Sequence, residues 1–173
     1  MTLRHGDLRL RPLTDDDETV ALAAHAELAA DDFSFLLDHD PGRPWPGYVR
    51  MLAARRCGVD LPPDRVRDAF LLAQVGPDVV GRVSIRFELN DYLAEQGGHV
   101  GYGVRPGFRR RGYAGEMLRQ ALVVARAEGV ERVLVTCDDG NEGSASVIRG
   151  NGGVEVEPWV GEGGLRKRRF WIG

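Results

Sequence analysis

The chain has 173 residues, enough for one domain with its own core and no need of covalent staples. With 43% apolar and 28% charged residues it has the make-up of an ordinary globular protein, and a net charge of -3 argues against general affinity for nucleic acid or anionic membrane. Cys57 and Cys137 form no CxxC pair and no disulfide framework, and no apolar run approaches membrane length, so the expectation is one cytoplasmic domain over residues 1–173.

In chain order, Leu8 and Leu10 alternate with Arg9 and Arg11, the period of a half-buried first strand. In the helix that follows, Thr14 and Asp17 have capping-box spacing and the first turn is acidic. The stretch from Asp38 to Gly47, with three prolines and two glycines, reads as loop. Within it, "DHD" at Asp38 to Asp40 reads as a polar turn rather than a ligand set, and no histidine pair has metal spacing. "YVRMLAARRCG" reads as a short second helix that Gly58 ends. "AFLLAQV" and "VVGRVSIRFEL" around "GPD" have the form of a hairpin, and "GGHVGYGV" that of a short strand.

From Gly112 to Gly129 the apolar residues Ala114, Met117, Leu118, Ala121, Leu122 and Ala125 make one helical stripe, with Glu116 expected on the outer side. "ERVLVTC" is a buried-type strand, "EGSASVIRGN" a short helix ended by Gly152 and Gly153, and "LRKRRFWIG" a closing strand. The order predicts a mixed α/β sheet flanked by helices. The basic run Arg166 to Arg169, just before Phe170 and Trp171, reads as a solvated terminal strand in preference to a nucleic-acid patch.

The segment "RPGFRRRGYA", Arg105 to Ala114, gathers four arginines and two glycines between a strand and the amphipathic helix. Free N–H groups at a helix start, a glycine that permits close backbone approach, and planar guanidiniums together suit a pyrophosphate. An arginine run alone reads equally well as a solvated charge cluster. A P-loop is excluded because no Gly-Lys-Ser/Thr occurs, and a dinucleotide fingerprint because Pro106 stands where its third glycine belongs.

These residues resemble the acyl-CoA-binding motif of the GNAT N-acetyltransferases, Arg/Gln-x-x-Gly-x-Gly/Ala, with Arg109, Gly112 and Ala114 in the specified places. "NEGSASVIRGNGG" is similar to the family's second motif, Asn-x-x-Ser, with Asn141 and Ser144. The resemblance is good from about Val80 to Val154 and topological elsewhere. It implies a sheet splayed between its fourth and fifth strands, with acetyl-CoA in the gap and no metal. Backbone groups at Tyr102, Gly103 and Val104 would pair with the pantetheine arm. Amides from Arg109, Arg110, Arg111, Gly112, Tyr113 and Ala114 would hold the pyrophosphate. Asn141 would reach the pantetheine or merely cap its helix.

The implied chemistry is direct attack of a primary amine on the thioester, so a base must take a proton. The resemblance points to His99, which reads equally as a hydrogen-bonded strand histidine, with Glu88 as the reserve base or a solvated strand end. Asp91 and Tyr92 line the acceptor cleft or cap a turn. Where many relatives carry a tyrosine acid, this chain has Ile148, leaving Tyr102 and Tyr113 unranked in that role. Cys137 reads as a buried strand-end thiol, not a nucleophile. The alternatives are an acyl-CoA sensor that has lost catalysis and a nucleotide- or nucleic-acid-binding module. The acceptor stays open, and dimers, frequent in the family, are compatible with the chain. Trp45 and Asp31, Asp32 and Asp38 suggest a small cationic amine or simply a packed loop.

Overall fold

The computed structural model describes residues 7–173; His5 lies outside that range. The elements are β1 (Leu8–Pro12), α1 (Glu18–Ala29), α2 (Trp45–Arg56), β2 (Asp68–Val75), β3 (Asp78–Arg86), β4 (Val100–Val104), α3 (Tyr113–Ala127), β5 (Val133–Asp138), α4 (Glu142–Gly150), β6 (Val154–Val160) and β7 (Arg166–Ile172). They form one seven-stranded sheet in the order β1-β2-β3-β4-β5-β7-β6. The β4–β5 pair is parallel and the other neighbours are antiparallel.

Both faces of the central strands are covered, which is why β2 and β3 read as continuous apolar runs. Alternate residues go to opposite sides: Phe70 and Leu72 join the core under α1 and α2, while Ala69, Leu71 and Ala73 join the core under α3 and α4. The stripe read from the sequence is the buried face of α3, where Met117, Leu118, Ala121 and Ala125 are fully enclosed. Glu116 departs from its outward expectation. Its carboxylate accepts from Arg119 and from Gln120, whose amide also donates to Leu8 O at 2.7 Å and so ties α3 to β1.

Three other local points follow from the structure. Residues 45–47 belong to α2, not to a loop: Pro44 precedes the helix and Pro46 stands in its first turn, where no N–H partner is lost. Trp45 is buried and donates from Nε1 to Thr14 O at 3.1 Å, so it packs the two helix starts together and is no acceptor wall. The sequence also carries a strand that was not expected, β6. Its Val154/Val156 against Glu155/Glu157 alternation was the available signal, interrupted by Pro158 where the ladder to β7 shifts register.

Three of the four cations in the basic run on β7 are ion-paired within the fold. Arg168 reaches Glu155 and Glu142, Lys167 pairs with Asp138, Arg166 with Asp139, and Arg169 donates to Ala94 O. Both cysteines are free thiols, Cys57 exposed and Cys137 buried. Among the described residues no helix is long and apolar enough to cross a membrane.

Candidate active site

The sheet opens where its two parallel strands meet. Between β4 and β5 the one register pair among the described residues is Val100–Val135. Just before it, His99 N–H donates to Leu134 O at 2.7 Å. Beyond it the strands part, and a cleft of about 680 Å³ runs from Tyr102–Val104 to the start of α3, walled by Phe33 on one side and Asn141, Ser144 and Val147 on the other. The expected splay is therefore present, between the two strands named for it.

On the β4 side the cleft wall is close-packed. Gly103 has no room for a side chain, since a Cβ there would lie 2.4 Å from Phe33 Cζ. At the mouth, Gly112 takes φ +81° just ahead of α3, a left-handed turn that favours glycine. The first i→i-4 bond of α3 runs from Glu116 N–H to Gly112 O at 3.3 Å, so the amides of Tyr113, Ala114 and Gly115 precede the helical ladder. That is an anion cradle, with the positive end of a 15-residue helix behind it.

The four arginines of the turn divide the work. Arg105 is a strut: it grips Glu27 through Nε and Nη2, at 2.9 and 2.6 Å, and donates to Val79 O at 2.9 Å. Arg109 lines the cleft, donating from Nε to Val104 O at 3.1 Å and from Nη2 to Asp31 Oδ2 at 2.5 Å. Arg110 lines the cleft with its backbone at φ +63°. Arg111 folds back onto Gly107 O at 2.9 Å, and its guanidinium and that of Arg105 flank the Phe108 ring.

On the far wall, Asn141 caps α4, its Oδ1 accepting from Ser144 N–H at 2.9 Å. It also borders the cleft, so the capping and ligand readings fall on one residue whose side-chain NH₂ is the part left for a ligand. Tyr102 crosses the cleft from β4, its hydroxyl 2.8 Å from Ser144 Oγ. Burial raises its pKa to about 12, an effect the Ser144 hydrogen bond only partly offsets, so the phenol stays protonated. Tyr113 packs in the core at 3% exposure. The structure thus separates two tyrosines that the sequence left equal. Ile148 is fully buried, and burial pushes the Cys137 thiol up, away from thiolate chemistry.

Neither expected base stands in this cleft. The imidazole of His99 is buried, its Nδ1 accepting from Leu134 N–H at 2.9 Å and its ring edge-on to Trp171. The neutral ring then carries its hydrogen on Nε2, and the one lone pair able to take a proton is occupied. Desolvation first, then the nearby Arg86 cation, lower its pKa to about 4. The strand-histidine reading is the one this geometry supports. Glu88 is 64% exposed beyond the end of β3, with Arg67 3.9 Å away. Asp91 and Tyr92 border a separate cavity on the α1/α2 side.

A splayed α/β sheet with an anion cradle at the mouth of the gap defines an acyltransferase-type fold. A sequence model of the Acetyltransferase (GNAT) domain matches residues 7–154, and the chain belongs to that family. No curated protein matches it. Among solved structures it is similar to RimJ of Mycobacterium smegmatis in complex with CoA-disulfide, at 19% identity over 98% of this chain and 84% of that one, TM-score 0.69. It is also similar to yncA, a putative acetyltransferase of Salmonella typhimurium with acetyl-CoA, at 15% identity over 96% and 93%, TM-score 0.64. The GNAT domain of S. lividans PAT aligns at 20% identity over 99% and 95%, TM-score 0.64. At these identities the likeness is one of fold.

Proposed function

We propose that the protein is an acetyl-CoA-dependent N-acetyltransferase in which a primary amine attacks the thioester directly. The observation that carries this reading is the parting of β4 from β5 with the α3 amides at the mouth of the gap. The site fits the ligand on its own terms. The β4 edge, unpaired with β5 past Val100, offers Tyr102–Val104 to an extended amide-bearing arm, with the Phe33 ring seated on Gly103 as one wall. Gly112 turns the cradle toward a diphosphate, with Arg109 beside it. Acetyl-CoA supplies the activated acyl group; the chain's residues hold it, exclude water and manage protons.

Tyr102 is the acid of this scheme. It projects into the gap, remains a phenol throughout the physiological range, and can hand its proton to the departing thiolate while Ser144 holds its oxygen in place. It fills the role that Ile148 leaves vacant, which weighs against a sensor without catalysis. With the His99 lone pair engaged by Leu134, the amine's own proton leaves to water at the open acceptor side. That sets a preference. Deprotonating a lysine-like amine at pH 7 costs about 4–5 kcal/mol, whereas an α-amine near pKa 8 costs about 1 kcal/mol. We therefore assign the protein an α-amine acceptor in preference to a lysine side chain.

The test is calorimetric titration of CoA and acetyl-CoA into wild type and into Arg109→Ala/Gly112→Val, followed by thiol-release assays over a panel of α-amines and alkylamines. Binding lost in the double variant, and turnover favouring α-amines, is the expected result. Equal CoA affinity in the two proteins would remove the site.

A further inference from the structure

A second cavity, of about 630 Å³, opens on the α1/α2 side between Leu37–Asp38, the 64–68 segment and Asn90–Leu93. Most of its polar groups are engaged with one another. Arg55 grips both oxygens of Asp68 and reaches Asp38 from Nη1 at 2.8 Å, and Asp38 also accepts from Arg65 at 2.5 Å. Asn90 is tied to Asp64 O at 2.9 Å and caps the turn at Leu93 N–H. Arg86 differs. Arg86 lines the cavity, where burial disfavours its charge, Asp68 attracts it and Arg55 and Arg65 repel it, yet none of its donors is committed to a protein acceptor among the described residues.

Its position gives this meaning. Arg86 stands opposite His99, its backbone N–H donating to His99 O at 2.7 Å. Its Nη1 lies 3.3 Å from where a Cβ on Gly101 would stand, and Gly101 is the first residue past the Val100–Val135 bridge. The guanidinium therefore overhangs the root of the splay from the α1/α2 side. A rigid planar fork with idle donors in a partly desolvated cavity is matched by a carboxylate, which takes two parallel hydrogen bonds from it.

We propose that Arg86 receives a carboxylate carried by the acceptor amine, a few bonds from the reacting nitrogen. The proposal rests on the acetyltransferase reading above and narrows its acceptor to an anionic α-amine. Two sources carry this chemistry: the α-carboxylate of a free amino acid and the side-chain carboxylate of an acidic N-terminal residue.

Thiol-release assays on alanine and alaninamide, and on the amidated dipeptides Asp-Ala and Ala-Ala, separate the sources. In wild type the carboxylate-bearing member of one pair should exceed its partner about 10–100-fold in kcat/KM per unprotonated amine, the free amino acid being a more basic amine than its amide. Arg86→Gln should erase that ratio through KM for the acid. Arg86→Lys should restore it in part, since charge returns without the fork. A second readout needs no turnover: titration of N-acetylalanine and N-acetylalaninamide, or of the two acetylated dipeptide amides, into CoA-loaded protein. Wild type should favour the carboxylate in the pair that assays identify, and Arg86→Gln should not. Absence of a carboxylate preference in wild type, or equal losses on acid and amide in the variant, overturns this proposal while turnover of neutral amines leaves the acetyltransferase reading standing. Failure to bind CoA at all overturns both.

Discussion

His99 separates a structural from a catalytic histidine by measurement. Its imidazole binds a proton with pKa about 4 in the fold and about 6.5 in an unfolded chain, so below pH 6.5 the unfolded state takes up the proton first. The stability this neutral ring provides is complete above about pH 6.5 and declines as pH falls toward 4. The difference of about 2.5 units corresponds to roughly 3 kcal/mol once both states are protonated, and to about 2 kcal/mol at pH 5. His99→Phe fills the space and cannot titrate, but leaves Leu134 N–H without its acceptor at about 1–3 kcal/mol. Urea unfolding at pH 7.5 and pH 5 should therefore show the variant less stable at pH 7.5, with a pH-dependent loss smaller than wild type's by about 2 kcal/mol. Its kcat on a good α-amine should stay within a few-fold. A hundredfold drop in kcat at unchanged stability would make His99 the base and refute the reasoning.

Other perturbations address the cleft. Tyr102→Phe should lower kcat about 10–100-fold, the low end for proton transfer because a thiol near pKa 8.5 leaves readily, with CoA affinity unchanged by calorimetry; wild-type kcat in the variant would remove the acid. Gly103→Ala drives a Cβ into the Phe33 ring and should weaken CoA binding at least tenfold or cost about 1–3 kcal/mol of stability, and a variant normal in both would mean that this wall yields. Asp31→Asn frees Arg109 from a half-exposed ion pair worth about 0–1 kcal/mol, so CoA should bind up to about threefold tighter at low salt and equally at high salt; weaker binding would show that Asp31 supports the site.

The parts legible in the sequence are those where one physical pattern dominates. The α3 stripe, the double-faced β2–β3 hairpin and the glycine-arginine turn each announce themselves through period or through a residue that alone permits the geometry. β6 was missed because an edge strand with few buried residues leaves a weak pattern, broken here by Pro158 and followed by a glycine-rich stretch. The role of His99 was not legible because a free and an occupied imidazole have the same letter; the difference is one N–H from Leu134, 35 residues away. Tyr102 and Tyr113 likewise diverge through tertiary position, one spanning the gap to Ser144 and the other enclosed in the core. Arg105 and Arg109 sit in the same basic run, yet α1 claims the first as a strut because Glu27 lies beside it.

The β4–β5 junction makes the sheet two leaves fastened at one end, by the Val100–Val135 pair and the His99–Leu134 hydrogen bonds beside it. Strands β1–β4 form one leaf and β5–β7 the other, and past Val100–Val135 the described residues show no further β4–β5 pair; Tyr102 reaches across to Ser144 on α4, and helices flank the gap. On the binding mode proposed above, a ligand lying along the β4 edge would supply rungs that the protein lacks there, bracing the two leaves as well as filling the gap. Under that proposal, loading the gap and completing the architecture would be one event.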